Sequence, residues 1–238
     1  MHAPITNAGS ARVLEGKIYV ITFFVSEEDW PTDEKMDLFK QMRDAESWLE
    51  REAAKYGKTV RFVKTVRFVN GVHGLFEPFE TDIVPDYESG NASGEIATKY
   101  LSQIGCPLDG YKEWVKKNSG CDQSLVFVIA NKEGRGYANP IASGGSDNNP
   151  EGAILFHSYN DPLYAGCIIH EILHLFGAVD LYQVTPEMAE IDSKIDKMYP
   201  KEVMHRSRFP LKELQMSPLT AWLVGLTDKQ EDWFKEFL

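Results

Sequence analysis

Cysteine is scarce in this chain of 238 residues, which contains only Cys106, Cys121 and Cys167. Three residues so widely spaced cannot form a disulfide scaffold, and no CxxC pair is present to predict a cysteine zinc site. Cys106 and Cys121 could pair in an oxidising compartment, but the simpler interpretation is three reduced thiols.

Basic residues are also few, since 25 lysines and arginines stand against 36 acidic residues and give a formal net charge of -11. This charge disfavours nucleic-acid binding, which needs a basic face. Long apolar runs are missing, because residues 18–25 are far fewer than the roughly 20 that cross a bilayer. No signal peptide is recognisable at the N-terminus. We therefore expect a cytoplasmic protein that binds neither nucleic acid nor membranes.

The pattern of apolar residues predicts one α+β unit, because no linker, charge block or repeat marks a domain boundary. Strands are predicted where β-branched and aromatic residues concentrate, at 17–26, 59–70, 124–130 and 153–157, with a short one near Tyr137. Helices are predicted from amphipathic spacing at 32–57, 95–104, 111–117, 217–226 and 227–238. Residues 1–15 are predicted to be a loose tail.

The most informative segment is 160–182, with the sequence NDPLYAGCIIHEILHLFGAVDLY. Asp161 and Pro162 are typical of a helix start, and Gly177 is typical of a helix end. Apolar residues cover nearly every face of the helix between these positions. A helix that is apolar all round is predicted to be buried.

Three polar side chains interrupt this apolar helix, namely His170, Glu171 and His174. Burying them without partners would be costly, and a divalent metal ion is the simplest compensation. Residues four apart lie on one helix face, so both imidazoles can bind one ion at a Zn–N distance of about 2.0 Å. Glu171 is rotated to the side, from where it could reach a water without being a ligand. This spacing is the HExxH pattern.

Gly177 and Asp180 extend the pattern to HExxHxxGxxD. The extended motif resembles that of the metzincin zinc peptidases, in the snapalysin-like form that has aspartate where histidine is usual. The resemblance implies one catalytic Zn²⁺ held by His170, His174 and Asp180, with a fourth position open for water. It also implies that Glu171 activates this water as general base in the hydrolysis of a peptide or protein substrate.

The same resemblance implies a fold and a methionine turn. The fold would be a zincin-like α+β domain over residues 1–238, with a twisted mixed sheet, a long helix and the metal helix at about 12–177. A smaller part, about 178–238, would hold the methionine turn and a final helix, with the cleft between the two parts. Met204 is the best match for the turn methionine, ahead of Met198 and Met216. An edge strand at 136–140 or 151–157 would pair with an extended substrate.

Some assignments stay open at this stage. If Asp180 is an ordinary loop carboxylate, Glu187, Glu190 or Asp192 could supply the third ligand instead. A group that stabilises the oxyanion is also unassigned, because Arg206 stands where astacin-type enzymes have a tyrosine after the methionine. The three candidates for that role are Arg206, His205 and Tyr182.

A second function competes with the peptidase. In that alternative the chain is a catalytically silent zincin-like module, where zinc is structural and the surface binds a protein partner. A structural zinc site usually has four protein ligands, so His157 or His205 would have to complete it. We otherwise expect His73 and His157 to be structural.

Overall fold

Five strands form one sheet at the centre of the computed structural model, which describes residues 8–71, 100–107, 109–140, 146, 148, 150–158, 160–182 and 189–236. The strands are β1 (Gly16–Val25), β2 (Val60–Val69), β3 (Gln123–Asn131), β4 (Tyr137–Asn139) and β5 (Gly152–His157). Their order in the sheet is β2-β1-β3-β5-β4. Only β4 runs antiparallel to its neighbour, so the sheet is mixed.

The described helices surround this sheet. They are α1 (Thr32–Lys55), α2 (Tyr111–Ser119), α3 (Ala165–Leu175), α4 (Ala189–Met198) and α5 (Pro218–Leu223), with short 3₁₀ helices at Ser102–Ile104 and Asp232–Glu236. The architecture is therefore a mixed α+β fold, as the sequence predicts. Among the described helices, none is long and apolar enough to cross a bilayer.

Strand β1 lies inside the sheet, between β2 and β3, and is buried on both faces, which explains its uninterrupted apolar sequence. Ile18 and Phe24 point into the core on the side of α1 and α3. Tyr19 and Phe23 point into the second core, which α2 and the segment 100–106 cover. Cys106 and Cys121 are buried in this second core, and all three cysteines of the chain are free.

The start of helix α3 differs from the prediction. It begins at Ala165, with the extended residue Tyr164 as N-cap, and not at Asp161–Pro162. The reason is tertiary, because side chains outside the helix bind backbone N–H groups at its start. Leu163 N donates to His157 Nδ1 at 3.1 Å, and Ala165 N donates to Gln41 Oε1 at 3.0 Å.

Two further predictions are wrong within the described residues. The last segment forms only the 3₁₀ helix Asp232–Glu236, and residues 237–238 lie outside the described part. The tail is not loose after residue 8, since Ala11 and Leu14 are fully buried. Leu14 N donates to Val224 O at 2.9 Å, and Ala11 N donates to the buried carboxylate of Glu151. Of the predicted helix at 95–104, residues 95–99 lie outside the described part.

Candidate metal centre and cleft

Helix α3 places two imidazoles side by side on one face. The ring centroids of His170 and His174 are 4.6 Å apart, and their Nε2 atoms are 3.0 Å apart. Asp180 approaches both rings, with its Oδ1 atom 3.1 Å from each Nε2. These three side chains form a group that could hold a metal ion.

A tight turn at the end of α3 brings Asp180 back to the histidines. Gly177 has a φ of 96°, a left-handed conformation that side chains rarely adopt. Gly177 N donates to His174 O and Ala178 N to Leu173 O, both at 2.9 Å, which is the Schellman pattern of helix termination. The HxxGxxD part of the sequence therefore encodes a local return of the chain.

Hydrogen bonds at the far side of each ring fix which nitrogen faces the centre. His170 Nδ1 is 3.1 Å from Val203 O, and His174 Nδ1 is 2.8 Å from Ala178 O. A carbonyl oxygen can only accept, so each Nδ1 carries a proton and each Nε2 is the nitrogen that faces the centre and could bind a metal ion. Metal-binding histidines are commonly oriented in this way.

The convergence of three acceptor atoms favours a cation at the centre. Burial of His170 lowers the pKa of its imidazole, but Asp180, Glu171 and the Val203 carbonyl together outweigh burial and raise this pKa to about 9. Burial raises the pKa of Asp180, but the two histidines hold it well below its usual range. A tetrahedral zinc ion with bonds of about 2.0–2.1 Å separates its ligand atoms by about 3.3 Å. The observed 3.0–3.1 Å separations and the two-nitrogen, one-oxygen donor set fit such an ion.

Glu171 lies beside this group without belonging to it. Its side chain is buried, and its Oε2 atom has no hydrogen-bond partner among the described residues. Burial raises the pKa of this carboxyl group above its usual value. Its Oε1 atom faces the backbone of Gly136, where an added Cβ would lie 3.4 Å away. A buried carboxylate oxygen without a partner is costly unless a water or substrate completes it.

A cleft of about 950 Å³ opens in front of His170 and Glu171. Its walls are residues 133–136, 155–156, 161–163 and 205–209, together with Cys167 and Tyr182. Of the two edge-strand candidates, 136–140 contains β4, which ends the described sheet beside the cleft. The other candidate, 151–157, is wrong because β5 is paired on both sides, with β3 and β4.

Helix α3 also packs tightly against the C-terminal wall of the cleft. A Cβ atom at Gly166 would lie only 1.9 Å from the backbone oxygen of Ser207. Glycine is therefore needed here for close approach of the two backbones, one turn before His170. The neighbouring Cys167 places its Sγ 3.7 Å from Ser207 Oγ, and burial raises the pKa of this thiol.

The three oxyanion candidates have different surroundings, although all line the cleft. Tyr182 stacks on His170, with ring centroids 6.3 Å apart, and its hydroxyl accepts a hydrogen bond from Arg135 Nη2 at 2.7 Å. Burial, together with the charge of Asp180, raises the pKa of Tyr182 to about 12.

The other two candidates pair with acidic residues of α4. His205 Nε2 is 2.7 Å from Asp192 Oδ1, and Arg206 Nη2 is 2.7 Å from Asp196 Oδ1. Asp192 is thus engaged away from the metal group, and Glu190 is an exposed residue of α4. Glu187, the remaining alternative third ligand, lies outside the described residues.

Met204 lies in a tight turn that supports the metal group. The turn spans residues 202–205, with His205 N donating to Glu202 O at 3.1 Å, and Met204 is fully buried. Val203 O receives the His170 hydrogen bond, and Met204 O accepts from Leu181 N at 3.0 Å. The other methionines fit less well, because Met198 is 41% exposed on α4 and Met216 follows the turn by 12 residues.

Sequence reasoning missed Glu202, a fully buried carboxylate that anchors this turn. It accepts hydrogen bonds from the backbone N–H of Met204, from Ser217 N and Oγ at 3.2 Å each, and from Thr220 Oγ1 at 2.6 Å. Burial raises the pKa of Glu202, and these donors oppose that shift. The carboxylate thus joins the methionine turn to the start of α5. Its position next to a methionine turn was the available signal.

Replacing Glu202 with glutamine is expected to lower the free energy of unfolding by about 3 kcal/mol. In glutamine, an NH₂ group replaces one of the two carboxylate oxygens. This NH₂ group cannot accept a hydrogen bond, so a buried N–H or O–H group that now binds Glu202 would lose its acceptor. Urea denaturation of the two proteins measures the difference. Glu213→Gln is the matched control, since Glu213 pairs with Lys201 at the surface and such pairs add little. Equal losses in both variants would contradict an anchoring role for Glu202.

Comparisons with known proteins give likenesses in structure but none in sequence. No protein-family model matches the sequence, and no curated protein matches it. Among solved structures, the chain is similar to metalloproteinase-II from Bacteroides fragilis, with a TM-score of 0.45 and 13% sequence identity. The match covers 93% of this chain and 55% of the other, so the chain spans about half the length of that protein.

Proposed function

We propose that this chain is a zinc-dependent endopeptidase of the metzincin type, acting on peptide or protein substrates. The observation that carries the proposal is a single juxtaposition. Three converging donor atoms, of His170, His174 and Asp180, lie next to the buried carboxylate of Glu171, whose Oε2 atom has no hydrogen-bond partner among the described residues. Both groups line or adjoin a cleft that is bordered by an edge strand.

The three donors would hold Zn²⁺, which when bound supplies a Lewis acid and lowers the pKa of water from 15.7 to about 7. Glu171 takes the proton of the attacking water as the water oxygen bonds to the substrate carbonyl carbon. It then passes that proton to the amide nitrogen as the C–N bond breaks, which releases an amine and a carboxylate. Its raised pKa suits both steps, because proton transfer is efficient when the pKa of the catalyst lies nearer the working pH.

Tyr182 is the residue we propose for stabilising the oxyanion. Its hydroxyl oxygen accepts from Arg135, and its proton is shared with Asp180 through a side-chain hydrogen bond. In the proposed role the hydroxyl donates this proton to a substrate oxygen in the cleft instead. A donor aimed at developing negative charge contributes most in a site that excludes water. An extended substrate would lie along the β4 side of the cleft, where the described sheet ends.

The silent-module alternative needs a fourth protein ligand, and the surroundings of its two candidates argue against it. His157 accepts from Leu163 N through Nδ1, and its Nε2 faces Glu34 at 4.0 Å. His205 is paired through Nε2 with Asp192. Within the described residues, the metal group has three members, which leaves a position for water.

Incubation of the zinc-loaded protein with a diverse peptide library tests the proposal. We expect cleavage that disappears with a zinc chelator and returns when zinc is restored, because the three donors bind the metal reversibly. Mass spectrometry of the products would identify the cleaved bonds and the preferred side chains around them. A zinc-loaded wild type that cleaves nothing, but shows four protein donors by X-ray absorption, would instead support the silent module.

A further inference from the structure

Arg135 lies at the exposed rim of the cleft, between two glycines that pack closely against their neighbours. A Cβ at Gly134 would lie 2.5 Å from the ring of Phe156, and one at Gly136 would lie 3.4 Å from Glu171 Oε1. The backbone at Gly134 and Gly136 therefore lies close to β5 and to the side chain of Glu171, the proposed general base.

The side chain of Arg135 reaches across the cleft rim to Tyr182. Its Nη2 donates to the phenolic oxygen at 2.7 Å, and its guanidinium carbon lies 5.9 Å from the centroid of the Tyr182 ring. The same ring stacks on His170 at 6.3 Å with an interplanar angle of 24°. Tyr182 thus contacts His170, a candidate metal ligand, through its ring and Arg135 through its hydroxyl.

We infer that Arg135 is a positioning residue, which orients the hydroxyl of Tyr182 for catalysis. Guanidinium groups have only donors, so the phenolic oxygen must accept and its proton must point away from Arg135. Asp180 accepts this proton through a side-chain hydrogen bond in the free protein. In the inferred role the hydroxyl donates it to the substrate oxygen where negative charge develops. The inference rests on the proposed peptidase function. It predicts that Arg135 increases kcat only when Tyr182 is present.

A double-mutant cycle measures that dependence. Tyr182→Phe is expected to lower kcat about 100-fold, the usual effect of removing one oxyanion donor. Arg135→Met is expected to lower kcat about tenfold in the wild-type background, and less than about twofold when Tyr182→Phe is already present. KM changes by less than about twofold in each variant, because the contact matters in the transition state more than in substrate binding.

Two further variants separate positioning from simple loss of charge. Arg135→Lys keeps a positive donor without the planar fork, so it should restore part of kcat. Arg208→Met removes another cation of the cleft wall, whose side chain pairs with Asp161 at 3.2 Å. Its effect should be the same with and without Tyr182→Phe. Equal, additive losses for Arg135→Met and Arg208→Met would overturn the positioning role.

A spectroscopic readout tests the contact independently of activity. With ¹³C-labelled tyrosine rings, the Tyr182 signal is identified by its disappearance in Tyr182→Phe. Arg135→Met should shift this signal, whereas Arg208→Met should leave it in place. An unmoved signal overturns the inference even if the peptidase is active. Absence of any cleavage by the zinc-loaded wild type overturns the proposed function, and the positioning role of Arg135 with it.

Discussion

Glu171→Gln is expected to keep the fold and bind zinc like the wild type, but to lower kcat by about a thousandfold or more. Glutamine has the size of glutamate and fills the same buried position, so packing is preserved. It cannot accept the proton of the attacking water, and it cannot return a proton to the leaving amine. The measurement is cleavage of a peptide taken from the library screen, with zinc content determined on the same samples.

The matched control for this variant is Glu113→Gln, which makes the same chemical change at an exposed position of α2. It should leave kcat and zinc content unchanged. Cleavage by Glu171→Gln at near wild-type rates would remove the general base from the mechanism. Zinc loss in Glu171→Gln would instead make Glu171 a ligand, which its separation from the three-membered metal group argues against.

The candidate metal group was predictable because its determinants are local. Both histidines sit four residues apart in one helix, and the Schellman turn at Gly177 returns Asp180 to them within six residues of His174. Each step depends on backbone geometry that short sequence patterns encode. Strand β1 was predictable for a related reason, since burial on both faces produces a continuous apolar run.

The residues that surround the metal group were less predictable, because they meet it through tertiary contacts. Val203 O binds His170 from 33 positions away, and Arg135 reaches Tyr182 from 47 positions away. No periodic pattern in the sequence indicates such long-range contacts. The sequence offered Tyr182 only as one of three oxyanion candidates, and the surroundings of its hydroxyl distinguish it from the others.

Sequence patterns also failed to predict helix α4 and the start of helix α3, because tertiary contacts are few in the first case and dominant in the second. Helix α4 was missed because Ile195 is its only buried residue among those described, so its apolar stripe is too narrow to see. The start of α3 was misplaced for the opposite reason. There, His157 and Gln41 bind backbone N–H groups that a helix cap would otherwise satisfy, and this overrides the Asp-Pro signal.

Asp180→Ala is expected to lower zinc affinity more than 100-fold, beyond the roughly 10- to 100-fold typical of losing a residue behind a ligand. The variant removes the only carboxylate of the group and leaves two neutral nitrogen donors, which hold a dication poorly. Zinc per chain after dialysis against buffered zinc gives the affinity. Zinc should also raise the Tm of the wild type but not of Asp180→Ala, because only the wild type binds it when folded.

Asp180→His separates the loss of a ligand from the loss of a structural contact. Histidine is the usual third ligand of the family that the motif resembles, so it should recover part of the zinc affinity, whereas alanine should not. Glu190→Gln on α4 should leave zinc binding unchanged, since its carboxylate is exposed and outside the metal group. Full zinc occupancy in Asp180→Ala would place the third ligand elsewhere, and a deficit in Glu190→Gln would identify it on α4. These three variants together test whether Asp180 is the third zinc ligand, because each changes one carboxylate and leaves both histidines in place.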